Sequence, residues 1–236
     1  MAMSPLVVGS ARFRVGRRLG GTETADLVVL SEAATLTAER LTALCEQLRR
    51  RGFCEVFTAA VDPPVRDMLA AGGFAEHERL QLLSHGLTDL PERPSRRLRI
   101  RRGRRSDRRG VLTVDHETFD EFWRLDQDSL REAIRATPLS RHRVVRRDGT
   151  VAGYSVVGVS APTGFLQRLA VAPRHQGKGL GAALVADSLH WARRHGASPM
   201  WVNTQESNHR AQRFYLRLGF KPAGHQLTVL QRRLSP

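Results

Sequence analysis

Apolar and polar residues alternate with a period of two over RFRVGRRL (12–19) and ADLVVLS (25–31), with Gly20-Gly21-Thr22 between them. This alternation predicts two strands joined by a turn. The period then lengthens. Leu41, Leu44, Cys45 and Leu48 recur at i, i+3, i+4 and i+7, which predicts an amphipathic helix over 36–51. Thr37 stands where it can cap that helix, and Arg49-Arg50-Arg51-Gly52 ends it with cations at the negative pole and a glycine past the last turn. Residues 53–60 read as a strand. Pro63-Pro64 open a short helix through Ala71, and Gly73-Phe74 introduce a final pair of strands ending near Ser84.

A polar, twice-proline stretch, LTDLPERPS (87–95), shows no periodicity and reads as a linker. Beyond it Leu98 and Ile100 alternate with Arg97, Arg99 and Arg101, the pattern of a strand with one arginine face. Ser106 and Asp107 are placed to cap a helix and bend over 111–126, and a short helix follows at 129–136. Residues 141–160 read as a hairpin turning at Asp148-Gly149, 162–164 as a turn and 165–171 as a strand. Ala183, Leu184, Ser188 and Trp191 form the buried stripe of a helix over 182–195, which Gly196 stops. The layout of LCEQLRRRGFCEVFTA (44–59) returns in LHWARRHGASPMWVNT (189–204). That of PVRDMLAAGGFAEHERLQLL (64–83) returns in RAQRFYLRLGFKPAGHQLTVL (210–230). Such a repeat predicts two copies of one supersecondary unit, one in residues 1–92 and one in residues 96–236.

The most informative stretch is LAVAPRHQGKGLGAAL (169–184), an apolar strand that breaks at Pro173, turns through three glycines on alternate positions and re-enters a helix. Helix-opening N–H groups lack internal partners and sit at the positive end of the dipole, so a glycine turn there suits an anion, a pyrophosphate above all. The spacing G-x-G-x-G fits neither the dinucleotide fingerprint nor the Walker pattern. The alternative is a tight turn whose glycines serve only packing. Downstream, VNTQESNHRAQRFYLRLGF (202–220) places Asn208, Ala211, Phe214, Tyr215, Gly219 and Phe220 after a strand.

Arg174-x-x-Gly177-x-Gly179 followed by Asn208-x-x-Ala211-x-x-Phe214-Tyr215 resembles the GNAT superfamily of N-acyltransferases, over roughly residues 97–234. The resemblance implies an α/β (α+β) fold: a central mixed, mostly antiparallel sheet flanked by helices, preceded by a partial, degenerate copy of the same unit. It implies transfer of an acetyl group from acetyl-CoA, as co-substrate, to a primary amine by direct attack. Leu169, Ala170 and Val171 would pair with the pantetheine arm. Arg174, Gln176, Gly177, Lys178, Gly179, Leu180 and Gly181 would hold the pyrophosphate, and Asn208 the coenzyme arm or the helix start. Tyr215 would be the general acid and touch the coenzyme. Phe119, Phe122 and Trp123 are candidates for the acceptor wall, or else core aromatics. The strand GFLQRLAV (164–171) lacks the glutamate frequent in the family, so the base stays open among water, Glu117, Asp120 and Glu121.

The first half departs from the pattern: no glycine turn lies between Ser31 and Leu41, and Met68 or Leu69 stands at the tyrosine position.

Composition narrows the rest. A 236-residue chain that is 41% hydrophobic can bury a sizeable core. No run of 18 uncharged apolar residues and no basic-then-apolar leader is present, so no membrane partner and a cytoplasmic location are expected. Cys45 and Cys54 read as buried thiols in a reducing compartment, and the scattered histidines predict no metal. Net charge is +15, with Lys178 and Lys221 the only lysines. Nine arginines fall between Arg96 and Arg109. They read as a solvated strand. The alternative is a polyanion contact, in which the chain would be a non-catalytic coenzyme A-sensing or nucleic-acid-binding module. Both monomer and homodimer fit the sequence.

Overall fold

The computed structural model describes residues 3–95 and 98–234. Arg96 and Arg97, the first residues of the arginine run, lie outside the described residues. In chain order the strands and helices are β1 (Ser4–Val8), β2 (Ala11–Arg17), β3 (Thr24–Val29), α1 (Ala38–Arg50), β4 (Glu55–Thr58), α2 (Pro63–Ala71), β5 (Ala75–His85), β6 (Ile100–Arg102), α3 (Arg108–Thr118), α4 (Gln127–Arg135), β7 (Leu139–Arg147), β8 (Thr150–Ser160), β9 (Thr163–Val171), α5 (Leu180–Arg194), β10 (Met200–Gln205), α6 (His209–Arg217) and β11 (Lys221–Arg233). The chain divides into two units, one of residues 1–82, 203–209 and 222–236, the other of residues 83–202 and 210–221.

In the first unit the strand order is β1-β2-β3-β4-β11-β5. The β3–β4 pairing is parallel, Thr24↔Glu55 through Leu27↔Thr58, and parallel neighbours need a crossover, which α1 supplies. The stripe Leu41, Leu44, Cys45 and Leu48 is buried, in one cluster with Phe13, Leu27, Val56 and Leu69. Thr37 caps α1 by accepting the Arg40 N–H at 3.3 Å. Three expectations need correction. A further strand, β1, pairs with β2 around Gly9 (φ 57°). The pair of strands expected after Gly73 is the single long β5. Cys45 is buried but Cys54 is exposed, because it precedes β4 instead of pointing into it.

In the second unit the order is β10-β9-β8-β7-β6. Asp148 (φ 49°) and Gly149 (φ 74°) make the expected two-residue hairpin turn, whose geometry requires left-handed backbone at both positions. β8 is buried over its nine inner residues, since helices cover both faces. α3 and α4 set Val111, Val114 and Leu130 on Val144, Tyr154, Val156 and Ala170. α5 sets Leu180 and Leu184 on Val145, Ala152 and Val171.

One irregularity shapes the site. The β8–β9 register steps from Val156↔Arg168 to Val157↔Leu166, leaving Gln167 as an extra residue. Side chains two apart normally share a face. The bulge breaks that rule, so Leu166 joins the α5-side cluster while Arg168 reaches α3. The ladder of β9 with β10 is parallel, at Met200↔Gly164 and Trp201↔Phe165, and stops there among the described residues.

Candidate active site

The loop between β9 and α5 starts as a short 3-10 turn, Pro173–His175. Gln176 braces it: its N–H donates to the Pro173 carbonyl at 3.2 Å and its side-chain amide to the Val171 carbonyl at 2.9 Å. Lys178 Nζ donates to the Arg174 carbonyl at 3.1 Å, and Arg174 pairs with Glu117 at 3.4 Å on the surface. Gln176 and Lys178 therefore brace the loop from within, and the Arg174 side chain ties it to α3.

The glycines divide their labour. Gly177 (φ 74°) and Gly179 (φ 77°) need the left-handed region, and the space a side chain would take beside each is open. Gly181 is different. A Cβ there would sit 3.3 Å from the Phe214 ring, so this glycine lets α5 start close against α6. The packing alternative thus holds for one glycine of the three. Gly179 is the N-cap of α5 and offers no side-chain cap, and the helix's first bond runs from Ala183 N–H to the Gly179 carbonyl. The N–H groups of Leu180, Gly181 and Ala182 stand ahead of that bond at the positive pole of a 15-residue helix. Open glycines before an uncapped helix start are what a pyrophosphate requires, so the residues present fit acetyl-CoA.

Leu169 and Ala170 lie opposite Ser155 and Tyr154 on β8, and Val171 opposite Gly153. A buried charge network, not anticipated from the sequence, lies beside them. Asp115 of α3 is fully buried. Arg168 grips it with two bonds, Nε at 2.8 Å and Nη2 at 3.0 Å. The Tyr154 hydroxyl donates to the same carboxylate at 2.5 Å and the Leu125 N–H at 2.8 Å. Burial beside this carboxylate pushes the Tyr154 phenol well above its ordinary value. Arg168 also donates to the Trp123 carbonyl at 2.6 Å and stacks over Phe119, 3.5 Å from the ring centre. Phe122 packs edge-on against Trp123 at 5.1 Å. The three aromatic candidates are half-buried and gather around Arg168. The sequence signal was a charged residue of opposite sign on each of two apolar stripes, Asp115 within VLTVDHETF and Arg168 within GFLQRLAV.

Tyr215 is buried between Phe214 and Phe220, with ring centres 5.2 and 5.4 Å away. Burial raises its pKa and the Arg168 charge partly offsets this, so the phenol keeps its proton at neutral pH. Asn208 belongs to the first unit, where its N–H donates to the Gln205 carbonyl at 3.0 Å. Of the three carboxylates weighed as a base, Glu117 is held by Arg174, Asp120 caps a 3-10 turn by accepting the Trp123 N–H, and Glu121 is exposed. Among the described residues no group of three or more His, Cys, Asp or Glu is placed to hold a metal, and no helix is long and apolar enough to cross a membrane.

Residues 109–220 match the acetyltransferase (GNAT) family. The matched segment is a little under half of the chain and lies almost wholly in the second unit; together with named N-acetyltransferase relatives it supports an acyl-CoA-dependent acetyltransferase. A Bacillus subtilis protein named for N-acetylation of the alanine of ribosomal protein bS18 is 25% identical over 53% of this chain and 82% of its own length. Streptothricin acetyltransferase of Streptomyces lavendulae is 37% identical over 37% of this chain and 47% of its own, so the chain spans about half of that relative. Two solved structures share the fold over nearly the whole chain. A tandem GNAT protein from the clavulanic acid biosynthesis pathway superposes with a TM-score of 0.71 at 16% identity, covering 96% of this chain and 79% of the other. A GCN5-related N-acetyltransferase from Kribbella flavida gives 0.67 at 15% identity, covering 98% and 89%.

Proposed function

We propose that the chain moves an acetyl group from acetyl-CoA to a primary amine, on a protein or a small molecule, by direct attack. Bound acetyl-CoA supplies the thioester, and its pyrophosphate rests on the N–H groups that follow Gly179. A backbone N–H of Leu169 or Ala170 polarises the thioester carbonyl. The neutral amine attacks that carbon, the C–N bond forms, the C–S bond breaks, the thiolate takes the proton of Tyr215, and the resulting phenolate regains a proton from water. The amine's surplus proton leaves to water. Phe119, Phe122 and Trp123, tied by Arg168, form the acceptor's wall. The names of the two relatives, one for a protein alanine and one for streptothricin, both suit an amine acceptor.

The observation that carries this reading is the uncapped start of α5 behind two open, left-handed glycines. Calorimetric titration of acetyl-CoA into the wild type and Gly179→Glu tests it. One site, abolished by a carboxylate set in the anion cradle, is the expected result. Undiminished binding in a folded variant would remove the loop from the coenzyme site.

A further inference from the structure

Most of the described arginines of the run are solvated, Arg99, Arg102, Arg104, Arg105 and Arg109 among them, but one is not. Arg101 turns inward and forks onto the buried Asp107, at 2.7 and 2.8 Å. Beyond β6 the chain and the neighbouring part of β7 line a half-open cavity of about 450 Å³. Six arginines line it, Arg102, Arg104, Arg105, Arg108, Arg141 and Arg143, and no carboxylate does. Asp187 holds Arg141 at 2.9 Å and Arg143 at 3.5 Å. Among the described residues, Arg102, Arg104, Arg105 and Arg108 pair with no carboxylate. Six cations against one anion leave a surplus of several positive charges gathered around one concave surface, which raises the local concentration of anions.

The floor is built as well as charged. Gly103 lies so close to His142 that a Cβ would meet its ring at 2.3 Å, and the Gly103 N–H donates to the His142 carbonyl at 3.0 Å. His142 lines the cavity, and its Nε2 is buried with no hydrogen-bond partner among the described residues. Burial lowers its pKa to about 4, so it meets a ligand as a neutral ring. Ile134 and the buried Trp191 form the apolar side of the wall.

The cavity is separate from the coenzyme loop. Its β7 residues pair with β8 around Val157, whereas the loop leaves β9 opposite Gly153. Four residues along a strand and two strand spacings put the sites roughly 13 Å and 10 Å apart in the two directions of the sheet.

We propose that this cavity binds a small, multiply charged phosphate ligand, a nucleoside polyphosphate or an inorganic polyphosphate, independently of acetyl-CoA. Arginine suits phosphate because its planar fork meets two oxygens at once. The volume suits a mononucleotide-sized ligand. A nucleic-acid strand is disfavoured, because it needs an extended track with exposed aromatic platforms, and the aromatic residue here is buried in the wall.

The test is calorimetry on the full chain at physiological salt, with acetyl-CoA saturating in the proteins that bind it and omitted for Gly179→Glu, using tripolyphosphate, ATP and a single-stranded RNA as titrants. We compare the wild type with Arg102→Ser/Arg105→Ser, two exposed positions, and with Gly179→Glu, checking all by thermal melting. Expected are one site per chain for tripolyphosphate, a loss of affinity of about tenfold or more in the double variant, and no change in Gly179→Glu. ATP binding more tightly than tripolyphosphate assigns a nucleotide, and equal binding an inorganic chain. Absent binding, loss in Gly179→Glu alone, or RNA binding more tightly than either small anion would overturn the proposal.

Discussion

Arg168 stands on a strand whose own sequence offers no carboxylate, yet the fold brings one to it from a helix 53 residues earlier in the chain. The guanidinium uses two faces of its chemistry there, the fork on Asp115 and the flat face on Phe119. Lysine reproduces neither. Arg168→Lys is therefore expected to free the 119–126 wall, raising the acceptor KM severalfold or more while the acetyl-CoA Kd stays unchanged. An equal loss of both affinities would mean global damage. Leaving Asp115 half-satisfied should also cost about 3 kcal/mol in urea unfolding. Tyr215 carries a different prediction. The proposed donor role predicts that Tyr215→Phe lowers kcat roughly 100-fold and leaves acetyl-CoA affinity within about twofold. Unaltered turnover would return Tyr215 to its packing role between Phe214 and Phe220.

The elements differ in how far local sequence determines them. The Asp148-Gly149 hairpin, the stripes of α1 and α5, and the break at Pro173 are visible in the residues, because period and turn chemistry act over a few positions. The split roles of Gly177, Gly179 and Gly181 are not, since φ and the nearby Phe214 ring are known only once α5 and α6 are packed. Asp107 shows the same limit. It was expected to cap α3, but it accepts the Arg104 N–H and binds Arg101 and Arg146 instead. The Arg101 guanidinium is the largest influence holding its carboxyl down to about 2. A depressed carboxylate contributes stability above its unfolded value, 3.8, and loses it as pH falls through the folded value. That loss is on the order of 2 kcal/mol between pH 5 and pH 2. Denaturant midpoints measured across this range should fall with pH in the wild type and fall less in Asp107→Asn.

Over the whole molecule, a positive field from a net charge of +15 reaches every anion in solution, but geometry decides which anion stays. The two crossover helices make the contrast. α1 begins with a Thr37 side chain on the Arg40 N–H and an Arg40 guanidinium on the Thr35 carbonyl, so its start is closed. α5 begins with Gly179 and is open. We therefore predict one acetyl-CoA per chain by equilibrium dialysis. A stoichiometry of two would give the first unit a coenzyme site of its own.

The sequence by itself determined the resemblance to the GNAT family, the glycine turn before α5 and most of the strands and helices. Each rests on residues close together in the chain, whose spacing records a turn, a period or a helix start. Only the tertiary structure decided what Arg168 holds, where the bulge at Gln167 turns it, and that the arginines after β6 wall a cavity. Those facts depend on partners tens of residues distant. A charge on an apolar stripe says that a partner must exist, because burying it alone would cost too much, and folding alone says which one it is.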